Sequence, residues 1–271
     1  MQRIHHTHWH TSVNVTSPEA LSGKTIFLST KMECAASLLV DLKTFKIRNA
    51  RWEIYRGPGG PLSVDIEGLS GVEAYLGAGD KLRKAVIGEG GPQALSLISE
   101  IVRGLIQSET FLYKERGFQD AKSYDDFWNN IYNNSCRYYS NLDRVSVQWS
   151  EHISAQNRFN GNLYNKFKTV SVSENEVFFH AEAGLSDSFH ELGISMAMDK
   201  KTQSITSAQS RLLRAPDPVC FEAADYVANL IGHIPSPSKK ETAGLLGGSQ
   251  GCVHLIDLCH DLSAVLGSLA K

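Results

Sequence analysis

The chain has 271 residues, a formal net charge of −2, 42% hydrophobic and 21% charged residues. Near-neutrality removes the electrostatic reason to expect nucleic acid or an anionic membrane as a partner. No apolar run approaches the roughly 18 to 20 residues of a membrane span. The start, Met1-Gln2-Arg3-Ile4-His5, lacks the apolar stretch of a secretion signal. Five scattered cysteines (Cys34, Cys136, Cys220, Cys252, Cys259) suit a reducing cytosol rather than a disulfide framework, so the expected location is cytoplasmic.

In chain order, alternation and β-branched residues predict strands over 8–16, 24–41 (with a bend or turn) and 46–56. Helices are predicted near 70–77 and 92–107. The same plan recurs as strands over 164–173, 177–199 and 204–214, then helices over 218–231 and 251–269. In the last helix Leu255, Leu258, Leu262, Val265, Leu266 and Leu269 recur at helical spacing, with Gly247, Gly248 and Gly251 marking its start.

The recurrence extends to residues. Asp41-Leu42-Lys43-Thr44 reads on to Arg56-Gly57-Pro58, and Asp199-Lys200-Lys201-Thr202 reads on to Arg214-Ala215-Pro216. Gly88-Glu89-Gly90-Gly91-Pro92-Gln93 likewise answers the stretch around Gly247-Gly248-Ser249-Gln250-Gly251 at about the same offset of 158 residues. The expected fold is α+β with an internal duplication, each copy a three-stranded antiparallel meander followed by two helices. The expected domains are 1–110, an insert over 111–163, and 164–271.

The insert and its border hold 13 of the 24 aromatic residues between Phe111 and Phe167. There Tyr124, Phe127, Trp128, Ile131 and Tyr132 share one helical stripe. Such a stripe is either a packed connecting helix or an aromatic wall for a flat substrate, which would involve Tyr124, Trp128 and Tyr132.

Comparison of the copies isolates candidates for chemistry. His190 aligns with Met32, Cys252 with Ala94 and His254 with Ser96, while Cys220 falls near Gly71. Glu191 faces Glu33 and is a candidate contact to substrate that the comparison does not single out. Residues that vanish together from one copy are expected to have shared one site. A thiol at a helix start is expected to have a lowered pKa, and His190 and His254 suit general base and acid near neutral pH.

Phe189-His190-Glu191-Leu192, Cys220 after Arg214-Ala215-Pro216, and Gly251-Cys252-Val253-His254-Leu255-Ile256-Asp257-Leu258 resemble the motifs of an uncharacterised bacterial domain-of-unknown-function family, number twenty-eight eighty-nine. The resemblance covers most of 164–269. More distantly, the element order is similar to the IscU/NifU-type iron–sulfur scaffold. That likeness implies Cys220 and Cys252 at helix starts, with Ser188 where the scaffold has a cysteine and His190 where it has an aspartate.

Two Cys and two His (His190, Cys220, Cys252, His254) suit zinc or iron, although no motif requires a cofactor. A second cluster, His6, His8 and His10, would share one face of a strand or lie on a frayed end. Glycines 57, 59, 60, 88, 90 and 91 form no phosphate-binding motif.

The functional expectation is a small-molecule enzyme of catabolism with its site between the copies. It would be a lyase working by proton transfer on an aromatic or phenylpropanoid-like compound and releasing a small aldehyde. Accompaniment of aromatic catabolism is what the family resemblance implies. The alternatives are a metal- or iron–sulfur-handling scaffold and a non-catalytic ligand-binding module. A homodimer is compatible with any of these readings.

Overall fold

The computed structural model describes residues 1–154 and 161–269. The chain divides into two compact units. One comprises His8–Tyr124 with Ile153–Phe167, the other Met1–Thr7, Asp125–His152 and Lys168–Lys271. Residues 111–124 of the expected insert thus group with the first unit and 125–152 with the second.

In the first unit the strands are β1 (Gln2–Ser17, from His8 onward), β2 (Ala20–Ser29), β3 (Glu33–Asp41), β4 (Ile47–Arg56) and β5 (Leu62–Asp65). They lie side by side in the order β5-β4-β3-β2-β1. Two helices follow, α1 (Gly79–Glu89) and α2 (Gly91–Ser108). The α2 face bearing Leu97, Ile98, Ile101 and Leu105 is buried, and the helix packs on β2 and β3. Gly23 permits that approach, since a Cβ there would stand 2.2 Å from Ile101 Cγ2.

The second unit holds the last part of β6 (Asn162–Glu174), then β7 (Phe178–Asp187), β8 (Glu191–Asp199) and β9 (Ile205–Arg214), in the order β6-β7-β8-β9. Most of α3 (Ala121–Ile131) and the start of α4 (Glu151–Ser154) belong to it, as do α5 (Lys239–Leu245) and α6 (Val253–Leu269). The last helix packs on β7 and β8.

The mixed helix and strand class is as expected, but the three-stranded meanders are not. Nine strands are present among the described residues. The runs 24–41 and 177–199 are each two strands, β2 with β3 and β7 with β8. Their connections are only three residues long, 30–32 and 188–190, and contain no Gly or Pro. Side chains rather than special backbone residues close these turns, so the alternation runs through them.

The expected turns at Asp41 and Asp199 are present. Each Oδ1 accepts N–H groups two and three residues on, and Phe45 and Gln203 take left-handed φ of 52° and 58°. Residues 70–77 form no helix. Gly71 and Gly77 are left-handed, and the segment bonds to the start of β4 instead, with Gly71 N–H donating to Ile47 O and Ile47 N–H to Val72 O.

Registers match at the offset of 158 residues. Ala20 pairs with Asp41 as Phe178 pairs with Asp199, and Glu33 with Arg56 as Glu191 with Arg214. The irregularities recur too, at Glu33/Cys34 and Glu191/Leu192 and at Leu39/Val40 and Ala197/Met198.

Residues 218–231 wind as a 3-10 helix, Pro218–Leu230, opened by buried Asp217. Its carboxylate accepts Val219 N–H, Ser146 N–H and Val147 N–H, each at 2.8 Å, and so ties the 146–147 loop to the helix start. Burial alone would raise the Asp217 pKa, but these N–H groups outweigh it and hold the carboxyl below its ordinary range. The stability this contributes is present above the unfolded carboxyl value of about 4 and is lost as pH falls toward the folded value. Asp217→Ala is expected to cost about 2 kcal/mol at neutral pH, with the gap to the parent narrowing in acid. Urea melts at neutral and acid pH check both.

Candidate functional site

The site begins at the turn between β7 and β8. Asp187 N–H donates to His190 O at 2.8 Å, closing the turn. The Asp187 Oδ1 accepts Phe189 N–H at 2.8 Å and His190 N–H at 2.6 Å. The equivalent turn between β2 and β3 uses a hydroxyl for the same work. Ser29 N–H donates to Met32 O at 2.8 Å, and Ser29 Oγ accepts Met32 N–H at 3.0 Å. An arginine clasps each turn from the neighbouring strand, Arg214 to Asp187 O and Arg56 to Ser29 O, both at 2.7 Å.

Chemistry enters where the turns differ. His190 Nδ1 lies 3.1 Å from Asp187 Oδ1. An ionised carboxylate can only accept, so Nδ1 carries the proton and Nε2 is the basic nitrogen of the neutral ring. His254, in the first turn of α6, places Nε2 3.8 Å from Asp187 Oδ2, and its ring centroid is 3.8 Å from that of His190. The Asp187 side chain is 0% exposed. Burial would raise its pKa, yet the charge and hydrogen bond of His190, then the charge of His254 and the Phe189 N–H, hold the carboxyl well below its usual range.

Two of the expected catalytic residues, His190 and His254, therefore meet. Asp187, absent from the sequence-based set, joins them. The signal was available, since Asp187 aligns with Ser29, but a serine and an aspartate close the same turn equally well.

Among the described residues, Asp187, His190 and His254 form a group whose potential metal-ligand atoms all lie within 4.8 Å of one another. Cys252 is adjacent, its Sγ 4.0 Å from His254 Nδ1. It caps α6, with its carbonyl accepting Ile256 N–H, but the expected lowering of its pKa fails. Burial pushes the thiol up to about 12, against the weaker effect of the Leu255 and His254 N–H groups. Cys220, in the first turn of the 3-10 helix, is likewise pushed up to about 12, chiefly by burial.

The remaining expectations fall in several places. Glu191 is exposed at the start of β8. Tyr124 belongs to the other unit, where it is buried with its hydroxyl 3.1 Å from Thr110 Oγ1. Trp128 is buried and Tyr132 half-buried. His6 is half-buried and His8 exposed, while His10 stacks on Phe167 with centroids 4.3 Å apart.

The aromatic insert does reach the turn within the second unit. Trp128 touches Tyr132, Tyr132 touches Tyr139, and Tyr138 packs on Tyr139 and Trp149. Trp149 in turn lies 4.9 Å from Phe189, beside His190. His152 joins this edge, bonded to Pro216 O at 3.1 Å and packed on Phe189.

Glycines set the height of His254 and Cys252. Gly247 is left-handed with φ 87°, and a Cβ on Gly251 would stand 1.9 Å from Leu246 O.

A family model described as a protein of unknown function (DUF2889) matches residues 165–266, the stretch that carries Asp187, His190, Cys220, Cys252 and His254. No curated protein and no solved structure matches the chain. No helix among the described residues is long and apolar enough to cross a membrane.

Three outcomes follow from the turn and the glycines. Asp187→Ser is expected to keep the fold at a cost of about 1–2 kcal/mol, because serine can still accept the turn N–H groups. Asp187→Ala should cost at least about 1 kcal/mol more, since it leaves them without an acceptor. Gly251→Ala is expected to destabilise by about 2 kcal/mol or more through overpacking. Equilibrium denaturation of the three variants measures the differences.

Proposed function

We propose that this protein is a small-molecule enzyme, a lyase that transfers protons on an aromatic or phenylpropanoid-like compound and releases a small aldehyde. The single observation that carries the reading is the buried Asp187 carboxylate holding His190 by Nδ1, which fixes Nε2 as the base. His254 against the same carboxylate provides the complementary acid.

In the proposed reaction His190 Nε2 removes a substrate hydroxyl proton, and the adjoining C–C bond breaks. The hydroxyl-bearing carbon leaves as the aldehyde. The bond pair passes into the conjugated aromatic system, and the carbon left behind takes a proton from His254. The aromatic edge formed by Phe189, Trp149 and His152 beside the turn supports a flat, ring-bearing substrate.

The matched registers and the matched turns support descent of the two halves from one duplicated unit, with the chemistry kept in the second. A labile iron–sulfur scaffold is less well supported. It needs accessible thiolates, whereas Cys220 and Cys252 are buried and Ser188 stands where that likeness calls for a thiol. Direct metal ligation by Asp187 would compete with the three N–H donors already on its Oδ1, which favours the hydrogen-bonded dyad.

Incubation with a panel of phenolic phenylpropanoid-type alcohols, with trapping of released aldehyde, tests the reading. Turnover is expected, and His190→Ala and Asp187→Ser should each lower kcat/KM by roughly 100- to 10,000-fold. Unchanged turnover in either variant overturns the assignment, and tight binding without turnover would make the protein a binding module.

A further inference from the structure

We infer that His152 is a specificity-determining residue: its Nδ1 accepts a hydrogen bond from a hydroxyl on the substrate's ring, so the ligand is a phenol. This role rests on an aromatic substrate, as proposed, and not on the fate of that substrate after binding.

The protonation of His152 follows from its one hydrogen bond. Its Nε2 lies 3.1 Å from Pro216 O. A carbonyl oxygen can only accept, so Nε2 carries the proton of the neutral ring and Nδ1 presents a lone pair. Among the described residues Nδ1 has no hydrogen-bond partner, and the side chain is half-buried. His152 is thus an acceptor left open at one nitrogen.

Its place in the aromatic edge gives the acceptor a use. The His152 ring stands edge-on to Trp149 and Phe189, with centroids 5.6 Å and 6.0 Å away and planes inclined at 62° and 82°. Those two rings are buried, so this edge meets solvent at His152. His152 packs on Phe189, and His190, the proposed base, follows Phe189 in the chain. A phenylpropanoid alcohol carries a ring hydroxyl at one end and a side-chain hydroxyl at the other. The two histidines offer each hydroxyl its own acceptor.

The acceptor is also held in place. Ser146 and Val147 N–H donate to Asp217 Oδ2 at 2.8 Å, and Ser150 N–H donates to Asp125 Oδ1 at 2.8 Å. Tyr138 O–H donates to Val147 O at 3.1 Å. Asp217 follows Pro216, so one buried carboxylate secures both the segment leading to His152 and the carbonyl that sets its proton. These bonds anchor the segment without the imidazole. An acceptor fixed before binding loses little freedom when the ligand arrives.

Calorimetric titration of the parent protein with a 4-hydroxyphenyl propanediol, and with the same diol lacking the ring hydroxyl, tests the role. The phenol is expected to bind roughly tenfold more tightly, the worth of one hydrogen bond to a half-buried acceptor. His152→Phe, which keeps a ring against Trp149 and Phe189, should bring the phenol down to the affinity of the other diol and leave the latter unchanged. In nitrogen-15 spectra of the parent, the His152 Nδ1 signal should move with the phenol alone. Equal affinities, no binding of either diol, an unmoved Nδ1 signal, or a preference that persists in His152→Phe each overturn the inference. The parent's titrations and spectra decide the matter even if the variant fails to fold. Aldehyde release is measured separately. Preference for the phenol without aldehyde would sink the lyase and leave this role standing, whereas aldehyde from both diols at equal affinity would do the reverse.

Discussion

The proposed proton transfer depends on one carboxylate. Asp187 closes the turn between β7 and β8 by accepting two backbone N–H groups, and the same group receives His190 and faces His254. The turn bonds and the bond from the His190 ring therefore share one oxygen. The consequence is rigidity. The His190 ring is fixed by atoms that also fix its backbone, so its Nε2 is held by the fold and not by a flexible side chain.

That arrangement needs α6 to start at one height above the turn, and the chain supplies the constraint from two directions. Gly247 and Gly251 let the loop before α6 pass against Tyr226 and Leu246 at distances no Cβ would tolerate. Arg137 then ties the loop to Val219 in the first turn of the 3-10 helix, while Asp217 anchors the 146–147 segment to the same helix start. The stretch 125–152 is more than a tether between halves. Its Arg137 and Trp149 reach, respectively, the backbone beside Cys220 and Cys252 and the ring beside His190.

Much of this was legible in the sequence, for identifiable reasons. The Asp-x-Lys-Thr turns at Asp41 and Asp199 carry their own acceptor, so they could be read locally, and the Cys/His motifs could be found by comparing the halves. The bend expected within 24–41 could not be placed at 30–32, and the turn 188–190 was hidden, because a serine or an aspartate closes them without glycine or proline. Asp187 was missed for the same reason, since its replacement by Ser29 looks neutral to anyone reading for turns. The cysteines were misjudged because helix position was weighed without burial, and burial is the larger effect at Cys252. Tyr124 looked like a wall residue because the aromatic stripe of α3 does not reveal which end enters the core of which unit.

The two turns also bear on the origin of the buried charge. Withdrawing a carboxylate from water carries a penalty of several kcal/mol even after relaxation, and the hydrogen bonds it makes return about 1.5–3 kcal/mol each. The turn at Ser29 shows that a neutral hydroxyl meets the same backbone requirement with the same closing distance of 2.8 Å. If closing the turn were the whole task, the buried charge at Asp187 would be a liability with a cheaper alternative present in the same chain. Its accompaniment by His190 and His254, where the other half has Met32 and Ser96, gives the charge a partner set that the turn does not require. Closing the turn does not call for that combination, whereas the proposed proton transfer would use all three groups.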